Sequence, residues 1–169
     1  LSPDPVAPAP NLSSWRTKLL KIFIDADACP VKEEIYRVAG RYGLSVLVVA
    51  NAYLRVPDDP RIERVTVTEG LDRADDWIAE RAEQGDVVIT ADVPLADRCV
   101  KAGARVIAPN GRPFTPASIG ADLAMRNLMT SLREAGEIKS GGRPFSKQDR
   151  SQFLQALDTA IQAIRRTGK

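Results

Sequence analysis

The sequence predicts an α/β protein: a three-layer sandwich around a mostly parallel sheet of about five strands, with two further helices at its C-terminal end. Three observations predict it. Short apolar runs of strand length alternate with segments whose apolar residues recur at helical spacing, the pattern of βαβ units. Most of the strand runs are apolar throughout, as in a parallel sheet covered on both faces. The chain has 169 residues, 44% hydrophobic and 27% charged, which suits one domain with a core of its own.

The elements follow in order. Residues 21–24 form an apolar run that ends at Asp25. Residues 31–42 then carry Val31, Ile35, Val38, Ala39 and Tyr42 on one helix face, and Gly43 closes the helix. Residues 46–50 read as a buried strand, and residues 51–62, with Pro57 and Pro60, as a loop. Residues 64–68 alternate as a strand. Glu69 and Gly70 turn the chain into a helix from about 72 to 84, with Ala74, Trp77, Ile78 and Ala82 toward the core. Residues 87–90 are another buried strand. Residues 94–102 are a helix with Pro94 in its first turn, and residues 104–108 are the last strand. Thr115 and Pro116 read as the N-cap and first residue of a helix running to about 135, with Gly136 past its end. Residues 140–144 are a glycine-rich linker. Ser146 and Asp149 fit a capping box for a final helix, whose apolar stripe is Phe153, Leu154, Leu157, Ile161 and Ile164. Residues 1–18, rich in Pro, Ala and Ser, read as a disordered leader or extension rather than a signal peptide, and residues 19–169 as a single domain.

Composition removes several chemistries. The chain has no histidine, which excludes Ser-His-Asp and Cys-His catalysis and histidine-ligated zinc. Its two cysteines, Cys29 and Cys99, have no zinc-like spacing; they leave a single disulfide open, but two thiols in a domain with a good core point to a reducing cytoplasm. No apolar stretch is long enough for a membrane span. There is no Walker-type loop and no GxGxxG. The net charge of +2 divides unevenly: residues 126–169 hold nine basic and four acidic side chains, and the preceding part fifteen and eighteen. The acidic part carries the candidate site, and the basic part is suited to a polyanion.

In a parallel α/β sheet, ligands bind beyond the carboxyl ends of the strands. Asp25 and Asp27 leave the first strand, Asp72, Asp75 and Asp76 follow the third, and Asp92 leaves the fourth. Crowded carboxylates repel one another, and a hard divalent cation offsets that repulsion. Oxygen-only ligation points to Mg²⁺ or Mn²⁺, ions suited to phosphoryl chemistry. Asp72, Asp75 and Asp76 also have a structural explanation as helix caps, and Asp92 in part as the cap of the helix at Pro94, whereas Asp25 and Asp27 at the end of an apolar strand do not. Cys29, among acidic neighbours that raise its pKa, reads as packing. Asn51 ends the second strand, where it can bond a phosphate, orient a carboxylate or form a turn. Lys32, Arg55 and Arg98 flank the acidic edge as candidate phosphate ligands.

The motifs Asp25-Ala-Asp27-Ala-Cys29-Pro30, Val-Ala-Asn51, Asp72-x-Ala-Asp75 and Gly85-Asp-Val-Val-Ile-Thr-Ala-Asp92-x-Pro94-Leu95-Ala resemble the YaiI/YqxD family of bacterial proteins. Asn-Gly-Arg-Pro-Phe-Thr-Pro, Arg126, Leu132-Arg133, Gly141-Gly142 and Asp149-Arg150 continue the match, over roughly residues 21–164. That family is grouped with PIN-like domains, many of them metal-dependent ribonucleases. The resemblance implies a PIN-like fold with Asp25, Asp27, Asp75 and Asp92 as catalytic and metal-binding carboxylates, and Asp72 beside them as a metal ligand. Asp76 ranks lower, since the family tolerates Asn there. PIN nucleases often add a Glu from a later helix, whereas the nearest acid here is Glu33, and the two C-terminal helices have no generic PIN counterpart.

Three functions stay open on the sequence. The leading one is a Mg²⁺- or Mn²⁺-dependent phosphodiesterase with RNA, rather than DNA, as its partner and with no membrane association. The second is a phosphatase of the haloacid-dehalogenase type, in which Asp25 is the nucleophile and Asp27 the acid–base. The third is a non-catalytic module binding nucleic acid or protein. The oligomeric state is open.

Overall fold

The computed structural model describes residues 19–68, 73–137 and 144–169. The leader at 1–18, the turn at Glu69 and Gly70, Asp72 and most of the linker at 140–144 lie outside the described residues. In chain order the elements are β1 (Lys21–Asp25), α1 (Lys32–Tyr42), β2 (Ser45–Ala50), β3 (Ile62–Thr66), α2 (Ala74–Arg81), β4 (Val87–Ile89), α3 (Val93–Lys101), β5 (Arg105–Ile107), β6 (Pro113–Phe114), α4 (Ile119–Glu134) and α5 (Lys147–Thr167). The strands lie in the order β3-β2-β1-β4-β5-β6. All pairings are parallel except that of β5 with β6.

The period of two along each strand sorts the apolar side chains into two cores. Ile22 and Ile24 of β1, Val46 and Val48 of β2, and Val87 and Ile89 of β4 enter one cluster, with Ile35 and Val38 of α1 and Phe153, Leu157 and Ile161 of α5. Phe23, Val49 and Val88 point the other way, toward Ile78 of α2, Leu95 and Cys99 of α3 and Ile119 of α4. Two helices therefore cover one face and three the other. This is the three-layer sandwich that the continuous apolar runs require. Asp86 is fully buried at the amino end of β4. Its carboxylate accepts the backbone N–H groups of Lys21 and Glu83 at 3.3 and 3.1 Å, so this acid ties strand starts together at the end of the sheet away from the cleft.

The structure corrects several sequence expectations. β3 begins at Ile62 rather than at residue 64, because parallel pairing sets Val46 opposite Ile62 and Ala50 opposite Thr66. Ile62 thus leaves the loop for the edge of the sheet. α2 stops at Arg81, and Ala82 turns extended while its N–H still reaches the Ile78 carbonyl. Regular helix α4 begins at Ile119, after a closed turn. In that turn Thr115 and Ser118 each give a backbone N–H to the other's hydroxyl, at 3.0 Å. Residues 104–108 do not hold the last strand, since β6 follows β5 through a hairpin at Asn110-Gly111. The capping box at Ser146 and Asp149 opens α5 as expected.

That hairpin fixes a glycine. Gly111 has φ +91°, and a Cβ there stands 2.6 Å from the carbonyl carbon of Gln152 on α5. Both the backbone conformation and the space exclude a side chain. Gly111→Ala is expected to lower stability by about 2–3 kcal/mol, read from the midpoint of urea unfolding at unchanged m-value. A variant as stable as the parent would show that the hairpin does not pack on α5.

Candidate active site

β1 and β4 are neighbours, but the chain runs from β1 outward through β2 and β3 before it returns to β4. This reversal opens a crevice beyond the strand ends, the usual ligand position in such sheets. A cleft of about 860 Å³ lies there, lined by Asp25, Asp27, Asn51, Arg73, Asp75 and Asp92, with Ala28, Ala74, Ala91 and Pro109 between them. The strand ends set this arrangement: β1 delivers Asp25, and the 3₁₀ turn Ala26–Ala28 delivers Asp27. β2 ends just before Asn51, α2 opens just before Asp75, and β4 ends just before Thr90 and Asp92.

Two hydrogen-bonded bridges organise the carboxylates. The buried Thr90 hydroxyl donates to Oδ2 of Asp25 at 2.7 Å and accepts the backbone N–H of Asp92 at 2.9 Å. It spans β1 and β4 where they diverge. Asn51 forms the second bridge. Its side-chain amide and backbone N–H donate to Asp27, at 2.8 and 3.2 Å, and its Oδ1 accepts the N–H of Ala74 at 2.9 Å. Asn51 therefore joins the first acidic motif to the start of the helix that carries Asp75. Of the alternatives the sequence left for Asn51, the structure shows it orienting a carboxylate. Asp92 also caps α3, accepting the N–H of Leu95 at 3.0 Å. Asp75 accepts the N–H of Asp76 at 3.0 Å.

Burial pushes the Asp25 carboxyl above its ordinary pKa. The Thr90 hydrogen bond opposes that shift, and the nearby charges of Asp92, Asp27 and Asp75 add to it. Removal of that hydrogen bond in Thr90→Val is thus expected to raise the Asp25 pKa further, followed by carboxyl ¹³C NMR through a pH titration. A fall or no change would show that Thr90 does not govern the charge state. Burial likewise raises the Cys29 thiol and pushes Cys99 up to about 12. Both cysteines are buried and free, as packing residues are.

Three predicted phosphate ligands stand elsewhere. Lys32 donates to the Cys29 carbonyl at 2.8 Å. Arg98 is paired with Asp76 at 2.7 Å across α2 and α3, which keeps both outside the cleft lining. Arg55 sits exposed in the loop after β2, also outside the lining. Among the described residues, the cation that does line the cleft is Arg73, which the sequence reading passed over although it lies between Asp72 and Asp75. Among the described residues, the basic second half is not gathered there either: Arg150 pairs with Glu34 at 3.1 Å and donates to the Pro30 carbonyl, and Arg165 lies over the Tyr42 ring. Among the described residues, no three Asp, Glu or Cys side chains are grouped so as to hold a metal ion as they stand. Also among the described residues, no helix is long and apolar enough to cross a membrane.

Fold and site together define an α/β protein with an acidic cleft at the switch point of its sheet. The chain belongs to the YaiI/YqxD family: the family model described as "Uncharacterized BCR, YaiI/YqxD family" matches residues 23–163. It is similar to a UPF0178 protein of Rhodopseudomonas palustris (strain BisB18), 64% identical over 149 residues, which cover 88% of this chain and 96% of the relative. A UPF0178 protein of Nitrobacter winogradskyi is 65% identical over 147 residues, covering 87% of this chain and 94% of the relative. No solved structure matches.

Proposed function

We propose that this protein is a Mg²⁺- or Mn²⁺-dependent phosphodiesterase acting on RNA, with a PIN-like active site in the acidic cleft. One observation carries the reading: Asp25, Asp27, Asp75 and Asp92 line one cleft, where burial and the nearby charges of Asp92, Asp27 and Asp75 push the Asp25 carboxyl above its ordinary pKa. A divalent cation accounts for such an arrangement. The donors are all oxygen, which fits Mg²⁺ or Mn²⁺. Mg²⁺ is typically held by one or two carboxylates, with water and phosphate oxygens completing its shell. The cleft therefore does not need a closed cage of protein ligands. Thr90 engages Oδ2 of Asp25 and Leu95 engages Oδ1 of Asp92; Asp25 and Asp92, with Asp27 and Asp75 in the same lining, would hold the ion. When bound, the ion polarises the phosphate and lowers the pKa of water. Thr90 fixes the Asp25 carboxylate, Asn51 fixes Asp27, and Arg73 holds a phosphate oxygen.

The phosphatase reading is less well supported. Only residues 26–31 separate β1 from α1, too few for the inserted flap, and Asp27 is engaged by Asn51. The free, buried thiols favour the cytoplasm. The test is incubation of the protein with mixed RNAs in Mn²⁺, Mg²⁺ or EDTA. Cleavage with either ion and none in EDTA is expected. Absence of cleavage in all three overturns the reading, and trapping of a phosphoaspartate by a fluoride analogue would move it to the phosphatase.

A further inference from the structure

Tyr53 is 70% exposed. Isolated exposed apolar side chains are ordinary, but this ring is held in place. Its loop, residues 51–61, joins two parallel strands without the helix that usually makes such a crossover. On one side the loop is anchored by Asn51, bonded to Asp27 and Ala74. On the other, Leu54 and Val56 pack against the core shared by α1 and α5. Tyr53 belongs to neither core cluster and is directed outward between these anchors. The guanidinium of Arg64 on β3 lies over the ring, 4.3 Å from its centroid. Only Ala52 separates Tyr53 from Asn51 at the wall of the cleft, so their Cα atoms are at most about 7 Å apart. Arg55, exposed, follows two residues on.

We propose that Tyr53, backed by Arg64, is a stacking platform for an unpaired base of single-stranded RNA whose phosphate enters the acidic cleft. An aromatic face accepts any base, whatever the sequence, but only one that has left a helix. The guanidinium stiffens the ring, and Arg64 and Arg55 supply cations beside it for the flanking phosphates. The platform therefore selects strandedness rather than sequence. In its placement of the phosphate, the inference rests on the phosphodiesterase reading.

The test separates the two. Binding of a fluorescently labelled short single-stranded RNA, and of the same RNA as a duplex, is measured by anisotropy in EDTA at fixed salt for the parent, Tyr53→Ala and Tyr53→Phe. Cleavage of the single strand in Mn²⁺ is followed in parallel. Tyr53→Ala is expected to weaken single-strand binding about 5- to 100-fold, Tyr53→Phe to retain it, and the duplex to bind all three weakly. Equal binding by the parent and Tyr53→Ala, equal affinity for duplex and single strand, or no binding by the parent would each overturn the platform. Tyr53-dependent binding without cleavage in Mn²⁺ supports the platform and overturns the phosphodiesterase reading alone.

Discussion

Asp25→Asn is expected to lower Mn²⁺-dependent RNA cleavage by on the order of 10³-fold, within the range for loss of one catalytic group. The substitution keeps the shape of the side chain and an oxygen able to accept the Thr90 hydroxyl. What it removes is the negative charge at the end of β1, where the ion is proposed to bind. Asp76→Asn is the control. Asp76 lies next to Asp75 but is paired with Arg98 and absent from the cleft lining, so its loss should leave the rate near the parent's. Initial rates at saturating RNA and Mn²⁺ check both variants. Equal losses in the two would mean that acidity in general, not the cleft, supports the reaction.

The difference between Asp25 and Asp76 shows where sequence reading succeeds. A parallel strand fixes where its carboxyl end lies, so residues that leave β1, β2 and β4 are brought to one edge by topology alone. Asp25, Asp27, Asn51 and Asp92 were legible for that reason, and all line the cleft. Helical residues are different. Arg98 flanks the acidic edge in sequence, yet it reaches across to Asp76 because α3 packs beside α2. Lys32 bonds back to the Cys29 carbonyl, three residues away. Which cation faces the cleft depends on helix orientation, and spacing along the chain does not specify it. Arg73 was missed for another reason: it is extended just before α2, where no periodicity in the sequence marks which way its side chain goes. β6 was missed for a different reason: the Asn110-Gly111 pair is a hairpin signal, but a two-residue strand beginning with Pro113 leaves almost no pattern to read.

Mn²⁺ is expected to raise the melting temperature of the parent and to leave Asp25→Asn nearly unmoved. A ligand bound only by the folded state stabilises it by about 2.7 kcal/mol at a hundredfold excess over its Kd and about 4.1 at a thousandfold excess. For a domain of this size the smaller figure corresponds to a shift of roughly 5–10 °C. The metal-free comparison follows from the raised pKa of Asp25. A carboxyl whose pKa is higher in the folded state binds its proton more tightly there, so it contributes stability at low pH and loses it as pH rises through the folded value. Once pH exceeds the folded value, the ionised Asp25 is a cost to the native state, and Asp25→Asn removes that cost. In EDTA the variant should be at least as stable as the parent, with its advantage shrinking as pH falls and the parent's Asp25 takes up a proton. A purely structural Asp25, needed as a hydrogen-bond partner for Thr90, gives the opposite pattern: lower stability in EDTA and in Mn²⁺ alike. Thermal melts of both proteins, each with EDTA and with Mn²⁺, separate the two cases. An equal Mn²⁺ shift in parent and variant would remove Asp25 from the ligand set, since a lost ligand must lower the affinity that the shift measures.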